Sequence, residues 1–396
     1  MFPPEPSACV IWDLDGTLLD TESLVAEVAR EVIARHGGEL TDAARAASLG
    51  KRPLEAWAAV AAALDLPVPA QQLLEESEAL LSERWQEAKM LPGALRLLTH
   101  LKECGMPMAL ATSTLRATLP LKLAVHGHLR TTFQITCCGD EVEQGKPAPD
   151  SFLVAAKSLG FPPSRCLVIE DSPAGVDAAA AAGMHVVHVP SMVDTGSAAR
   201  NARTFGRQGI TTLASLLDFR PEAFGLPPFK DGVQGTVPVD PAWSIRGTVV
   251  RGYGRGSKEL GIPTANLDAE SLRGSLGEAV TGIYAGWASV GRSSEVYPMC
   301  MSVGFNPVFK NKQRVCEPWL LHEFDQDFYG EEIRLLVCAY LRPEADFVSV
   351  QALVDRIHED AAITRRALQD PLFAALKGDA FLAPQEGGTA LQPSGP

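Results

Sequence analysis

Several features are scarce in this sequence, and each absence argues against a class of protein. No apolar run reaches the roughly 20 residues that a membrane-spanning helix needs. Basic residues number 35 against 48 acidic ones, and the net charge of −13 argues against nucleic acid as a partner, because phosphate backbones are bound by clustered Lys and Arg. None of the eight cysteines forms a C-x-x-C pair, so we expect no zinc site. The N-terminus shows no signal-peptide pattern, and we expect a cytoplasmic protein without a membrane partner.

The first part of the chain, residues 8–218, alternates between short apolar runs and amphipathic or Ala-rich stretches. Such alternation predicts a doubly wound parallel sheet covered by helices on both faces. Residues 22–89 interrupt the alternation with continuous helical spacing, which predicts a helical insertion after the first strand. The predicted strands lie in the runs ACVIWDLD, MPMALATS, RCLVIEDS and HVVHVP.

The second part of the chain has a different pattern. Residues 219–242 are rich in Pro and Gly and lack periodicity, as is typical of a linker. Short strand-like runs separated by turn residues then predict a small β-barrel over residues 243–380, closed by a helix near residues 349–368. The tail, residues 381–396, has the composition of a disordered segment.

Two acidic pairs follow predicted strands of the first domain. Asp13 and Asp15 come directly after the first apolar run, and Glu170 and Asp171 end the run RCLVIED. Ligands of an open parallel sheet bind at the carboxyl ends of its strands, so these carboxylates are expected at one site. A carboxylate attacks phosphorus only when the phosphoryl charge is neutralised, so a hard cation and a positive side chain are also needed.

Other residues of this domain are candidates for binding phosphate. Thr112 and Ser113 end the run MPMALATS, where a hydroxyl group and turn amides can hold phosphoryl oxygens. Lys146, in GKPAPD, opens a predicted helix whose N-terminus adds partial positive charge. Each feature alone is often structural, but all of them in this order favour a phosphoryl-transfer site.

These segments resemble the four motifs of the haloacid dehalogenase superfamily of phosphatases: DLDGTLLDTE, ATST, GKPAPD and IEDSPAGVDAAAAAGM. The resemblance implies that Asp13 is a nucleophile forming an aspartyl-phosphate, and that Asp15 is the general acid and then the base. It implies that Thr112 and Ser113 bind phosphate, that Lys146 bridges nucleophile and phosphate, and that the helical insertion is a cap. It further implies Mg²⁺ at acidic residues: Asp13, Asp15 through its backbone carbonyl, Glu170 and Asp171.

The second domain carries a glycine-rich turn and scattered polar groups. Gly252 to Lys258, GYGRGSK, can bring backbone amides close to a polyphosphate, although such turns are usually only turns. Thr264 and Asn266 lie two residues apart in an extended segment and offer oxygen ligands for Mg²⁺. Glu317 precedes the apolar run Trp319 to Leu321 and is a candidate base.

Longer blocks of this domain resemble riboflavin kinase, notably VVRGYGRGSKELGIPTANL, TGIYAGWASVG, MSVGFNPVFKN and EPWLLHEFDQDFYGE. The resemblance implies a six-stranded antiparallel barrel with a C-terminal helix. It implies that Glu317 takes the proton from the ribityl 5′-hydroxyl, that Thr264 and Asn266 bind Mg²⁺, and that Arg342 lies on the flavin side. The implied ATP-binding residues are Gly252, Lys258, Thr264, Asn266, His322 and Tyr329.

The two domains in tandem resemble the bifunctional riboflavin kinase/FMN hydrolase enzymes of plants and green algae. In that interpretation the kinase makes FMN from riboflavin and ATP, and the phosphatase returns FMN to riboflavin. Three alternatives remain open from the sequence. The first domain could hydrolyse another small phosphomonoester such as a sugar phosphate, it could be an inert module, or the second domain could carry flavin without turnover.

Overall fold

The computed structural model describes residues 6–48, 53–190, 209–251, 262–267, 281–305, 314–345, 347 and 349–384. Contacts divide the chain into two compact units. The N-terminal unit comprises Met1–Leu216 and Arg220–Pro228, and the C-terminal unit comprises Leu217–Phe219 and Phe229–Pro396. No helix among the described residues has both the length and the apolar character required to cross a membrane.

The N-terminal unit is built on a parallel sheet. Its central strands are continuous apolar runs because helices cover both faces, and every residue of β1, β2 and β4 is buried. The strand order β3-β2-β1-β4-β5-β6 confirms the predicted doubly wound sheet. The strands are β1 Cys9–Trp12, β2 Met108–Ala111, β3 Ile135–Cys137, β4 Cys166–Glu170, β5 His185–His188 and β6 Ile210–Thr212.

A helical cap is inserted between β1 and β2 and has its own apolar core. Val28, Val32, Trp57, Val60 and Leu73 are buried together there. The cap elements are α1 Thr21–Arg35, α2 Asp42–Ser48, α3 Pro53–Leu64, α4 Ala70–Arg84 and the 3₁₀ turn Trp85–Glu87.

The chain enters and leaves the cap through two hydrogen-bonded segments. The amide of Asp20 donates to the Lys89 carbonyl (2.8 Å), and the amide of Leu91 donates to the Leu18 carbonyl (2.9 Å). The remaining helices flank the sheet: α5 Ala94–Glu103, α6 Leu119–Lys122, α7 Leu129–Thr132, α8 Asp150–Leu159 and α9 Pro173–Ala181.

The C-terminal unit is an antiparallel sheet of order β11-β10-β9-β12-β7-β8 in the residues described. The Ala265 amide, just before β8, donates to the Pro318 carbonyl of β11 (2.9 Å), so the two edges meet and the barrel is nearly closed. The strands are β7 Val237–Val250, β8 Asn266–Leu267, β9 Gly282–Val290, β10 Tyr297–Phe305, β11 Arg314–Leu320 and β12 Glu332–Arg342. The helices are α10 Val350–Ala367, which Ser349 caps, and α11 Pro371–Ala374.

The ends of the barrel differ in detail from the predicted boundaries. Strand β7 begins inside the segment 219–242 that the sequence suggested as a linker. Its pairing with β12 passes from Val337↔Trp243 to Ala339↔Pro238, so residues 239–242 form a bulge that accommodates a Pro-containing sequence. At the other end, Leu382 is 1% exposed and packs on the barrel, two residues into the predicted disordered tail.

Candidate active sites

Three buried carboxylates meet at the carboxyl ends of β1 and β4. Asp13 follows β1, Glu170 ends β4 and Asp171 comes next. Ligand oxygens of the three lie within 4.8 Å of one another. Strands β1 and β4 are adjacent at the point where the order of this sheet reverses, which is where α/β sheets bind their ligands.

Lys146 lies among these carboxylates. Its Nζ is 2.5 Å from Asp13 Oδ1 and 2.8 Å from Glu170 Oε1, and its side chain is 6% exposed. Glu170 Oε2 in turn accepts from the Ser172 amide (2.6 Å) and hydroxyl (3.0 Å). Both oxygens of Glu170 are therefore engaged, and Glu170 fixes the lysine between itself and Asp13.

The charges of this group do not balance within the protein. Burial raises the pKa of Asp13 to about 7, with Glu170 and Asp15 adding to the effect and Lys146 opposing it. Burial, followed by repulsion from Glu170 and Asp13, raises the pKa of Asp171 well above its usual range. Burial disfavours the charged form of Lys146, but Asp13 and Glu170 outweigh it and raise the pKa of the lysine. One ammonium among three buried carboxylates leaves excess negative charge, which a divalent cation fits.

Gly16 leaves the space that Asp171 occupies. A Cβ at Gly16 would stand 2.1 Å from Asp171 Oδ2, and the backbone there has φ +79°, a conformation that glycine adopts readily. The glycine of the DLDGT motif therefore lets the second acidic pair approach the first.

Thr112 and Ser113 lie at the end of β2, as the motif pattern predicts. Thr112 is buried, and its Oγ1 accepts from the Thr114 amide (3.0 Å), whereas Ser113 is exposed. The Asp15 carboxylate contacts two residues that the sequence analysis missed. The Thr114 hydroxyl donates to its Oδ2 (2.5 Å), and Lys122 Nζ donates to its Oδ1 (2.6 Å). Thr114 stands within the ATST motif, but Lys122 has no local signal beyond being a lysine between leucines.

In the C-terminal unit, the predicted Mg²⁺ residues and the predicted base lie on adjoining segments. The amide between Thr264 and Asn266 donates to the Pro318 carbonyl, next to Glu317. Thr264 and Asn266 are two residues apart in an extended segment, which puts their side chains on one side. Glu317 alternates with buried neighbours along β11, and burial raises the pKa of its carboxyl.

Two of the predicted ATP-binding residues, His322 and Tyr329, lie in the loop after β11. His322 packs on Tyr297 (ring centroids 4.6 Å) and Phe324 (4.9 Å). Tyr329 is half exposed, and the Arg251 guanidinium lies 5.2 Å from its ring centre. Arg251 is the residue before the glycine-rich turn, and Gly252 and Lys258 of that turn lie outside the described residues.

Arg342, predicted on the flavin side, makes an ion pair that the sequence did not reveal. Its Nε lies 3.0 Å from Asp360 Oδ1, and its Nη2 lies 2.6 Å from Asp360 Oδ2. Asp360 belongs to α10 and is 1% exposed, so the fork ties β12 to that helix. The guanidinium also lies 5.8 Å from the centre of the Phe347 ring.

The two folds and their polar groups define two classes of phosphoryl-transfer domain. Residues 8–183 match the family model of haloacid dehalogenase-like hydrolases. Residues 240–368 match the family model of riboflavin kinase, or flavokinase.

Relatives extend the match over the whole chain. The bifunctional riboflavin kinase/FMN phosphatase of Arabidopsis thaliana is 43% identical over 376 residues, which cover 95% of this chain and 97% of that protein. The chain therefore belongs to the family of bifunctional riboflavin kinase/FMN phosphatases.

Two further similarities cover the N-terminal unit. The (DL)-glycerol-3-phosphatase 1 of the same plant, described as mitochondrial, is 36% identical over 56% of this chain and 74% of its own. The solved structure of a HAD family hydrolase from Deinococcus radiodurans, with bound phosphate and sodium, is 30% identical. It covers 57% of this chain and 99% of its own, with a TM-score of 0.48.

Proposed function

We propose that the C-terminal unit phosphorylates riboflavin with ATP to give FMN, and that the N-terminal unit hydrolyses FMN to riboflavin and phosphate. The observation that carries this proposal is the 43% sequence identity, over 95% of the chain, to a protein named for both activities. Each unit also contains candidate catalytic groups. Riboflavin, FMN and ATP are then the small-molecule partners.

In the N-terminal unit, Asp13 attacks phosphorus and the bond to the leaving oxygen breaks. Asp15 gives that oxygen a proton, so riboflavin leaves with its hydroxyl restored. Asp15 then takes a proton from water, whose oxygen attacks the aspartyl-phosphate and releases phosphate. Lys146 lies against the Asp13 carboxylate, where it offsets charge on the phosphoryl oxygens, and Thr112 and Ser113 bind those oxygens.

Mg²⁺ fits both units. In the N-terminal unit Asp13, Asp171 and the Asp15 carbonyl would hold it, with Glu170 keeping Lys146 in place. In the C-terminal unit Thr264 and Asn266 would hold it. When bound, the cation neutralises phosphoryl charge that the protein side chains leave uncompensated.

In the C-terminal unit, Glu317 takes the proton of the ribityl 5′-hydroxyl as that oxygen attacks the γ-phosphorus of ATP; the bond from that phosphorus to the bridging oxygen breaks, and ADP leaves. The raised pKa of Glu317 suits this role, because a base works best with a pKa closer to the operating pH. Gly252, Lys258, His322 and Tyr329 contact the nucleotide, and Arg342 the flavin.

Two variants of the full chain test both activities at once. Asp13→Asn should abolish phosphate release from FMN and leave FMN formation from riboflavin and ATP intact. Glu317→Gln should do the reverse, so each variant is the matched control of the other. Chromatographic separation of riboflavin from FMN measures both reactions. Undiminished FMN hydrolysis by Asp13→Asn would refute the phosphatase assignment.

A second substrate deserves testing because the glycerol-3-phosphatase matches the same unit. If FMN is the substrate, its kcat/KM should exceed that for glycerol 3-phosphate and for sugar phosphates. A higher value for either of those would make the N-terminal unit a phosphatase for that compound instead.

We also propose a cytoplasmic setting. Seven of the eight cysteines are buried, where they pack as small core residues, as is usual for thiols kept reduced. Fractionation of cells that make the protein tests this.

A further inference from the structure

Lys122 is a buried lysine that belongs to none of the four phosphatase motifs. Its side chain is 9% exposed, and its Nζ lies 2.6 Å from Asp15 Oδ1 and 2.8 Å from Thr114 Oγ1. The same Nζ lies 4.3 Å from the centre of the Trp85 ring, a cation–π distance. Removing an ammonium group from water is costly, so its three contacts call for an explanation.

The contacts fix the orientation of the Asp15 carboxylate. Lys122 donates to one oxygen, and the Thr114 hydroxyl donates to the other (2.5 Å). Because Lys122 also donates to the Thr114 oxygen, the hydroxyl proton is directed at Asp15. A carboxylate held at one oxygen rotates about its terminal torsion over a broad range, whereas one held at both does not.

The third contact connects this network to the cap. Trp85 begins the 3₁₀ turn that ends the cap, and Lys122 ends α6 of the sheet-bearing part. Close by, His126 Nε2 lies 2.7 Å from the carbonyl of Ala88, the residue after that 3₁₀ turn, so the chain just after α6 is also hydrogen-bonded to the end of the cap. The orientation of Asp15 is thus tied to the position of the cap.

We propose that Lys122 is a positioning residue for Asp15: with Thr114 it holds the carboxylate where it can reach the leaving oxygen, and through Trp85 it couples that orientation to the cap. The inference deepens the proposed phosphatase function and rests on it. Proton transfer needs a heavy-atom distance of about 2.6–3.2 Å. A displacement of about 1 Å can cost about 10²-fold in rate.

The test uses two kinds of leaving group in the full-length protein. FMN releases an alkyl alcohol, which needs a proton as it departs, whereas p-nitrophenyl phosphate releases an anion that needs none. The parameter kcat/KM covers the reaction up to departure of the leaving group and excludes the later attack of water on the aspartyl-phosphate. Its ratio between the two substrates therefore isolates the acid role of Asp15.

We expect Lys122→Met, which keeps the aliphatic stem and removes the charge, to lower kcat/KM for FMN about 10–100-fold. For p-nitrophenyl phosphate the loss should stay within about threefold. Thr114→Val removes the donor to the other oxygen of Asp15, and it should likewise lower kcat/KM more for FMN than for p-nitrophenyl phosphate. This variant tests the inference if Lys122→Met fails to fold. Trp85→Leu should show the same selectivity more weakly. The control is Lys157→Met, an exposed lysine of α8, which should leave both values unchanged.

Equal losses on both substrates in Lys122→Met and Thr114→Val would overturn the inference, since a general loss of structure affects both alike. So would an unchanged kcat/KM for FMN in both variants. If the wild-type chain does not hydrolyse FMN, the proposed substrate fails separately. The comparison then proceeds with glycerol 3-phosphate as the alkyl ester.

Discussion

Gly175 stands directly against the carboxylate that holds Lys146 in place. Gly175 is the third residue of α9. The helix has Ser172 as its N-cap residue, and the Ser172 hydroxyl accepts from the Gly175 amide (3.1 Å). A Cβ built at Gly175 would lie 1.6 Å from Glu170 Oε1 and 2.6 Å from Oε2. Gly175→Ala therefore cannot be accommodated unless the Glu170 carboxylate moves.

The magnitude follows from what Glu170 would lose. In an ordinary helix the change from Gly to Ala stabilises by about 0.5–1 kcal/mol. Here Glu170 would give up charge-assisted hydrogen bonds from Lys146 and Ser172, each worth about 1.5–3 kcal/mol. We expect a net destabilisation of the N-terminal unit of about 2–5 kcal/mol. The displaced Lys146 should also lower phosphatase kcat/KM about 10²-fold or more.

The measurement pairs FMN hydrolysis with denaturant unfolding of the N-terminal unit. Riboflavin kinase activity of the same preparation is the internal control, because the substitution lies in the other unit. Gly127→Ala is the matched control, since a Cβ there meets nothing within 4 Å. If Gly175→Ala kept wild-type phosphatase activity and raised stability as an ordinary helical alanine does, the described packing of Glu170 would be wrong.

Three further predictions concern single groups. Glu317→Gln should lower the kinase kcat about 10²–10⁴-fold while the Kd for ATP stays within about threefold, and equal losses would count against a base. The pKa of Asp13 without Mg²⁺ is about 7 in the folded chain, against an ordinary 3.8. Between pH 3.8 and about 7 the folded chain therefore binds more protons at Asp13 than the unfolded chain does. Stability of the N-terminal unit should therefore fall as pH rises from about 4 to about 7, and Mg²⁺ or Asp13→Asn should reduce this fall in thermal scans. Arg342→Lys cannot span both oxygens of Asp360 and should lower the Tm of the C-terminal unit; it should also raise the riboflavin KM, and an unchanged KM would restrict Arg342 to the ion pair.

The sequence predicted the parts of the fold that have strong local signals. Buried central strands are uninterrupted apolar runs, so β1, β2, β4 and β5 could be located directly. The edge strands β3 and β6 have three residues each, too few to show a period, and they were missed. Strand β7 was predicted to start late because Pro238 and Pro241 look like linker residues. Pro238 pairs with Ala339, whereas Pro241 lies in the bulge opposite β12, and only the pairing with β12 reveals either position.

The same division applies to the sites. Asp13, Glu170 and Asp171 could be proposed as neighbours because strand ends of a parallel sheet converge, and that rule needs no side-chain detail. Contacts between side chains that are distant in the sequence could not be predicted by this rule. Lys122 lies 107 residues from Asp15, and Asp360 reaches Arg342 only because α10 packs on β9 and β10, which brings the helix to the end of β12.

The contacts that the sequence did not reveal share one physical feature in the N-terminal unit. Each of them fixes a charged side chain of the motifs in its position. Lys122 fixes the Asp15 carboxylate, and Gly175 leaves the space in which Glu170 can contact Lys146. A phosphatase that uses one carboxylate as nucleophile and another as acid needs the two to differ in environment. Asp13 lies deeply buried against Lys146, whereas Asp15 is partly exposed between Thr114 and Lys122. The supporting residues therefore distinguish two carboxylates that the motif DLD presents as equivalent.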